Sequence, residues 1–143
     1  MTRGFTLVEM LIVFGIIALL MGLTFLFGRE TLARFELNRA RDLLRQELLT
    51  AQSDSMTGKN NASWGVQIAP GAFTRFQGSS FSARNPDFDF VTSFSSTITV
   101  SGPSEIVFSP PRGLPLSSET LTLTLGQQTR TVMVHSSGLI ESF

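Results

Sequence analysis

The chain has 143 residues with 11 basic and 11 acidic side chains, so its formal net charge is zero. That balance excludes a generally basic nucleic-acid binder, and the absence of cysteine excludes a disulfide framework and thiol chemistry. The single histidine excludes a metal site built from several histidines. The length is sufficient for one domain of ordinary size plus an additional segment.

The first element is an apolar run over residues 4–27, in which Glu9 is the only charged side chain. As an α-helix this run would extend about 34 Å, enough to cross a bilayer core of about 30 Å. It is longer than the apolar part of an ordinary secretory signal and has no A-x-A-like ending. We therefore predict a transmembrane helix over residues 5–28. An unpaired carboxylate is costly in a membrane helix, so Glu9 is a candidate functional residue.

The segment Arg3-Gly-Phe-Thr-Leu-Val-Glu9, with the apolar run behind it, resembles the N-terminal signal of type IV pilins and type II secretion pseudopilins. The resemblance implies that residues 1–4 are a leader peptide, which a prepilin peptidase removes by cutting between Gly4 and Phe5. It also implies N-methylation of Phe5 and pairing of Glu9 with the N-terminal amine of a neighbouring subunit. Such a pair would spare both charges the cost of lying alone in hydrocarbon. The alternative is a plain anchor with Glu9 at the lipid headgroups.

Small residues recur within the same run. Gly15, Ala18 and Gly22 lie at i, i+3 and i+7, so on a helix they share one face, which a second helix could approach closely. We interpret this stripe as a candidate assembly surface in a filament core. The alternative is that glycine is simply common in membrane helices.

Residues 29–58 are predicted to form the amphipathic half of the same helix. Residues 29–56 contain neither proline nor glycine, and Gly58 provides a stop signal. Apolar residues recur at spacings of three and four, which predicts one buried face. That face consists of Leu37, Ala40, Leu43, Leu44, Leu48 and Ala51. The sequence therefore predicts one continuous helix over about residues 6–57.

Residues 59–143 are predicted to form an antiparallel β domain. Trp64–Ala69 and Ala72–Gln77 flank Pro70-Gly71, which indicates a hairpin, whereas residues 78–92 are predicted to form a loop. Further strands are predicted at 93–100, 105–108, 120–125, 129–135 and 139–142, with Leu121, Leu123, Leu125, Val132 and Val134 facing the core. The predicted fold class is α+β, a pilin-like lollipop in which the long helix packs on antiparallel sheets.

A second resemblance covers residues 105–140. The phenylalanine strand, the Arg112-Gly113 turn, the alternating hairpin and the Ser-x-Gly turn ending at Gly138 resemble minor pseudopilin H (GspH) and FimT-like pilins. This implies a minor structural subunit of a type II secretion system or type IV pilus, with no enzymatic activity and no cofactor. The implied partners are the prepilin peptidase, other pilin or pseudopilin subunits, an inner-membrane assembly platform and membrane lipid. The implied location is the inner (cytoplasmic) membrane, with the N-terminus cytoplasmic and the C-terminal domain periplasmic or extracellular.

Three alternatives to a minor structural subunit remain open: a major pilin, a DNA-binding pilin, and a membrane-anchored enzyme or sensor. In some FimT-like pilins the last turn carries DNA-binding arginines. Here residues 138–141 read Gly-Leu-Ile-Glu, so DNA is not expected as a partner. The arginines of the β domain are scattered, namely Arg75, Arg84, Arg112 and Arg130.

No catalytic or metal-binding set is visible in the sequence. His135 has no neighbouring partner for acid–base chemistry, and Asp87 and Asp89 are too few carboxylates for a calcium site. The aromatic residues of the same segment, Phe81, Phe88 and Phe90, either contact a neighbouring subunit or pin the segment to the core, and we favour the second interpretation.

Overall fold

The structure is a computed structural model that describes residues 5–143, apart from the side chains of residues 23–29. The chain divides between Arg34 and Phe35 into two compact units, called here the first and second units. A single helix, α1, spans Leu7–Met56, so the predicted continuous helix is confirmed. It ends where a glycine follows, because Gly58 has a φ of 66°, a left-handed conformation that glycine adopts without steric cost.

Within the second unit, α1 buries one face. Its apolar residues at spacings of three and four are at most 1% exposed, as predicted: Leu37, Ala40, Leu44, Leu48 and Ala51. Leu43 is partly buried at the border of this face. The opposite face is exposed, so the helix covers the sheets with one side only.

Nine strands follow a short 3-10 turn at Lys59–Asn61. Their bounds are β1 Trp64–Ala69, β2 Ala72–Gln77, β3 Asn85–Ser93, β4 Thr99–Ser101, β5 Glu105–Ser109, β6 Leu114–Pro115, β7 Glu119–Leu125, β8 Gln128–Val134 and β9 Ile140–Ser142. They form two antiparallel sheets, ordered β3-β2-β1-β5-β6 and β4-β7-β8-β9. The predicted hairpin around Pro70-Gly71 is confirmed, since β1 pairs with β2 from the turn outward.

The core of the second unit lies where α1 meets the inner faces of both sheets. The first sheet contributes Trp64, Val66, Phe73, Ile106 and Phe108, and the second contributes Leu121, Leu123, Val132 and Val134. The alternation in β7 and β8 predicted these inward positions correctly, and Leu125 is partly buried. The α+β fold class, a helix packed on antiparallel sheets, is confirmed.

Two strand predictions are wrong. Residues 78–92 are not all loop, because β3 occupies Asn85–Ser93 at the edge of the first sheet. The edge explains the error: Pro86 lacks an N–H to donate, and an edge strand tolerates such a residue and neighbouring carboxylates, whereas a central strand does not. Conversely, residues 93–100 do not form one strand. Only Thr99–Ser101 is extended, while Phe94 stacks on Phe73 from the preceding loop.

Candidate assembly site

The predicted processing site lies at the N-terminal limit of the described residues. Gly4, the predicted cleavage position, lies outside them, as does the leader over residues 1–4. Phe5, the predicted site of N-methylation, precedes α1 and is 73% exposed. Glu9 lies in the first turn of the helix and is also exposed. Glu9 is thus four positions after Phe5, and the resemblance pairs these two residues between neighbouring subunits.

Thr6 caps α1. The backbone N–H of Glu9 donates to Thr6 Oγ1 at 3.3 Å, and the N–H of Met10 donates to the carbonyl oxygen of Thr6 at 3.2 Å. Thr6-Leu-Val-Glu9 thus has the order of a capping box, a signal that the sequence analysis missed. A carboxylate in the first turn also interacts favourably with the helix dipole. Thr6 therefore caps the helix through its own side chain, and the interaction of the Glu9 carboxylate with the helix dipole is separate from any pairing between subunits.

The small residues of the first unit form an open surface. A Cβ atom placed on Gly15 or Gly22 would meet nothing within 4 Å, and Ala18 is exposed. Because an α-helix turns about 100° per residue, this stripe lies on the side of α1 opposite to Glu9. The structure therefore does not bring the two predicted assembly features onto one face.

The remaining side chains of this segment are apolar on every side of the helix. Over residues 5–22 the large apolar side chains range from 42% exposed at Ile17 to 77% at Leu7. A helix that is apolar all round is normally buried by other chains or by lipid. In the part of the chain that the structure describes, no helix meets the length and apolarity required of a membrane span.

Three of the four arginines of the β domain have partners within the second unit. Arg75 Nη1 lies 2.6 Å from Asp54 Oδ2, and Arg75 Nε lies 3.2 Å from Glu47 Oε2. Two further arginines have partners. Arg84 Nε lies 2.8 Å from Asp89 Oδ2, and Arg130 Nε donates to Asn38 Oδ1 at 2.7 Å. Three of the four scattered arginines are thus held in place by partners within their own unit.

The aromatic residues around β3 mostly pin this segment. Phe88 lies edge-on to Trp64 at a ring distance of 6.1 Å, and Phe81 lies edge-on to Phe76 at 5.5 Å. Phe90 is 44% exposed, with the Arg75 guanidinium 4.2 Å from its ring centre. The favoured interpretation is confirmed for Phe81 and Phe88, while Phe90 keeps an exposed edge.

Two of the other polar candidates, His135 and Asp89, have local partners. His135 Nε2 lies 2.9 Å from Glu141 Oε2. Asp87 is exposed, while Asp89 is paired with Arg84. Across residues that the structure describes, no three metal-binding side chains come together.

Gln52 joins the two turns that carry the second resemblance, a role that sequence reasoning missed. Its Nε2 donates to the carbonyl oxygen of Gly113 at 3.1 Å and to that of Gly138 at 2.7 Å. Three residues further along α1, Ser55 Oγ donates to the carbonyl oxygen of Phe108 at 2.9 Å. Turns far apart in sequence thereby meet at the C-terminal end of α1. No sequence signal predicted this, because a half-buried glutamine on a helix has many alternative partners.

Residues 1–25 match the family model for the prokaryotic N-terminal methylation motif. The chain carries that methylation motif. The match includes Gly4, Phe5 and Glu9, the residues on which the resemblance to type IV pilins and type II secretion pseudopilins rests. No curated protein sequence matches the chain at a significant level.

Two solved structures of a minor pseudopilin have a fold similar to that of this chain. One structure of the minor pseudopilin EpsH from the type II secretion system of Vibrio cholerae has a TM-score of 0.58 at 14% identity, covering 76% of this chain and 96% of that one. A second crystal structure of EpsH has a TM-score of 0.56 at 13% identity, covering 76% and 93%. At these identities the similarity establishes the fold. The chain thus combines the methylation motif with a fold similar to that of EpsH.

Proposed function

We propose that this protein is a structural subunit of a type II secretion pseudopilus or a type IV pilus, and that it is a minor subunit of the H type. One observation carries the proposal: the methylation motif leads directly into a helix whose large apolar side chains over residues 5–22 are all exposed. The EpsH-like fold favours the H type. The work of such a subunit is assembly rather than catalysis.

In the proposed sequence of processing and assembly steps, the chain is first inserted in the inner membrane. Residues 5–28 anchor it with the N-terminus in the cytoplasm, and residues 59–143 lie in the periplasm or outside the cell. A prepilin peptidase cuts between Gly4 and Phe5 and methylates the new amine of Phe5. The assembly platform then transfers the helix from lipid to a filament, where neighbouring helices cover the same apolar surface.

In the filament, Glu9 pairs with the Phe5 amine of a neighbouring subunit. Both charges are then removed from water, and each compensates the other only if the two helices have the correct axial offset. The Gly15-Ala18-Gly22 stripe lies on the other side of α1, so it serves a different neighbour from the one that Glu9 contacts.

Mass spectrometry of the membrane fraction tests the processing step. The expected mature chain begins with N-methylated Phe5 and lacks residues 1–4. A filament that contains chains with an intact Met1 would refute the proposal, and a membrane-bound intact chain without filaments would identify a plain anchor. Deletion of the prepilin peptidase is the control, and it should leave the unprocessed chain in the membrane.

Substitution of Glu9 tests the pairing and separates it from helix capping. Glu9→Gln keeps a side chain that a capping box accepts but removes the charge, whereas Glu9→Ala removes both. We expect both variants to enter the membrane and the filament content of both to fall by a factor of about 100 to several thousand, because losing one partner of a buried ion pair costs about 3–5 kcal/mol.

Glu36→Gln is the matched control for the Glu9 variants, since Glu36 is exposed on the same helix. It should enter filaments as the wild type does. If Glu9→Gln also assembles normally while Glu9→Ala does not, Glu9 acts by capping α1, and the proposed pairing with Phe5 is wrong.

A further inference from the structure

Four strands lie at the edges of the two sheets: β3 and β6 in the first sheet, and β4 and β9 in the second. Three of them are short, with two residues in β6 and three each in β4 and β9, whereas β3 has nine. A short edge strand is one way in which proteins prevent pairing with another chain. Among the strands that the structure describes, β3 is therefore the one long edge.

The first half of β3 is protected against such pairing, and the second half is not. Pro86 lacks an N–H to donate, Asp87 and Asp89 place charges on the strand, and the register with β2 shifts opposite this half. Proline, charge and a bulge are devices that shield natural edge strands. Residues 90–93, called here the open edge, contain none of them and pair with β2 in unbroken register. Within the open edge, Val91 is 64% exposed.

The open edge presents backbone groups that lack a partner. The N–H of Phe94 donates to the carbonyl oxygen of Gly71 at 2.9 Å, which identifies the rows of the ladder that are hydrogen-bonded to β2. Because bonded and non-bonded rows alternate in an antiparallel pair, the N–H and C=O groups of Val91 and Ser93 point away from β2. The structure pairs none of these groups with another described residue. An extended backbone supplies donors and acceptors at the matching spacing.

A cavity of about 250 Å³ adjoins the open edge beside α1. Ser93 lines it together with the apolar side chains of Leu43 and Phe94. Glu36 and Arg39 also line it, so their formal charges cancel. Successive side chains of a strand point to opposite faces, so a strand added to the open edge would direct alternate side chains toward α1 and this cavity. The balanced charge and the apolar lining favour an uncharged, apolar side chain there.

We propose that the open edge pairs with an extended, uncharged segment of a different protein, and that one apolar side chain of this segment enters the cavity beside α1. The segment would become a further strand of the first sheet, with an apolar residue next to Val91 on the face away from α1. The surface thus supplies a contact of the second unit with a partner of stated chemistry.

The choice of a different protein rests on the proposed function. Two identical β3 strands would pair antiparallel about a twofold axis. Because α1 lies along the inner faces of the sheets, its part in the second unit would then run in opposite directions in the two copies. In the proposed function every subunit enters one membrane with its N-terminus in the cytoplasm, so neighbouring copies run in the same direction. The occupant is therefore a chain of different sequence.

Hydrogen exchange of the full-length chain tests the pairing. The chain is measured in membranes of its own cells and in membranes of a host that makes no other pilin-like protein. In the host, the Val91 and Ser93 amides should exchange freely, whereas the Thr92 amide, which faces β2, should be protected. In its own cells, protection at Val91 and Ser93 should rise about tenfold, because the added strand bonds both amides. Equal exchange in the two membranes would refute the proposal.

Proline substitutions separate backbone pairing from side-chain contact. Val91→Pro removes an N–H that β2 does not use, so the fold should persist while the protection of Ser93 falls to the value in the host. Val91→Thr is the matched control, since it keeps the N–H and a β-branched side chain, and it should retain the protection. The fluorescence of Trp64 monitors folding. If Val91→Pro does not fold, Ser93→Pro repeats the test with Val91 as the readout. Full protection in a folded proline variant would rule out strand pairing.

A photoreactive benzophenone amino acid in place of Val91 identifies the occupant in the same cells. We expect an adduct with a chain of different sequence, attached within an extended segment that has no charged side chain. Leu139, which is 55% exposed on the turn before β9, is the control position and should not react with that segment. An adduct between two copies of this chain would overturn the choice of partner, and attachment to a charged or helical segment would overturn the added strand.

The same membranes are analysed for N-methylated Phe5 and for the filament content of the chain, which separates this inference from the proposed function. If the chain enters filaments while the Val91 amide stays unprotected, the strand pairing is wrong and the filament function stands. If Val91 and Ser93 are protected in a chain that enters no filament, the pairing stands and the filament function is wrong.

Discussion

The two parts of α1 use the same residue types in opposite ways. In the first unit Leu19 is 64% exposed, whereas in the second unit Leu48 has no exposed surface. The difference lies in the pattern: apolar residues occupy every side of the helix over residues 5–22 but one stripe of it over residues 37–51. A stripe can be covered by two sheets of the same chain, but an all-round apolar surface needs cover from several directions.

This contrast separates two sources of stability. The second unit closes its own core, so its free energy of unfolding is a property of the single chain. The exposed apolar surface over residues 5–22 can be buried only by other molecules. Its contribution to stability therefore depends on the surrounding lipid, detergent or protein. Equal substitutions in the two units should therefore have unequal effects on unfolding, which can be followed by the fluorescence of the single tryptophan, the buried Trp64.

The largest effect is expected from a matched pair of leucine truncations on α1. Leu48→Ala should lower the free energy of unfolding of the second unit by about 2–5 kcal/mol, because it leaves a cavity in a closed core. Leu19→Ala should change it by less than about 0.5 kcal/mol. Chemical denaturation of the full chain in detergent measures both. Similar losses from the two variants would contradict the separation of the units.

An intermediate effect is expected from a matched pair of arginines. Arg75 is 12% exposed between Glu47 and Asp54, which are 15% and 17% exposed, whereas Arg34 and its partner Glu30 are 55% and 61% exposed. Arg75→Ala should cost about 1–3 kcal/mol, because it leaves two half-buried carboxylates with fewer partners.

Arg34→Ala is the control for this arginine pair. It should cost about 0.3–0.5 kcal/mol, as for an exposed pair at i and i+4. The same denaturation experiment is then repeated at high salt. The loss caused by Arg34→Ala should shrink markedly, and the loss caused by Arg75→Ala should change little, because water and ions screen exposed charges more than half-buried ones. A loss at Arg75 no larger than that at Arg34 would remove the proposed structural role of the cluster.

The smallest effect is expected at Gln52. Gln52→Ala removes two hydrogen bonds to the turns at Gly113 and Gly138 and should cost about 1–2 kcal/mol. Gln46→Ala on the exposed face of α1 should cost less than about 0.5 kcal/mol. Hydrogen exchange provides a local readout, because the Gly138 amide should lose protection only in Gln52→Ala. Unchanged protection there would show that Gln52 does not hold the turn.

Most of the second unit could be predicted because its periodicities are strong. The three- and four-residue spacing from Leu37 to Ala51 and the alternation from Leu121 to Leu125 each specify one buried face, and the structure buries both. β3 could not be predicted in this way. It pairs with β2, the strand just before it, but its residues lack a strict alternation, and its proline and carboxylates are acceptable only because it lies at an edge.

The candidate site was predictable as a set of residues but not as a geometry. The motif from Arg3 to Glu9 predicted which residues are processed and paired, and the family model matches residues 1–25, which include this segment. Thr6 and Glu9 also have the spacing of a capping box. The sequence analysis did not predict this cap, because it interpreted Glu9 only as a partner for a neighbouring chain. The placement of Glu9 opposite the small-residue stripe follows from the unbroken helix.

The sequence by itself determined the motif, the length of α1, the buried stripe and the order of the inward residues in β7 and β8, because each depends on spacing along a short stretch of chain. Only the tertiary structure decided where β3 pairs, which turns Gln52 joins, and that Leu43, Ser93 and Phe94 line one cavity. The Gln52 contacts and the cavity join residues distant in sequence, and the pairing of β3 depends on its place at the sheet edge; local periodicity records neither.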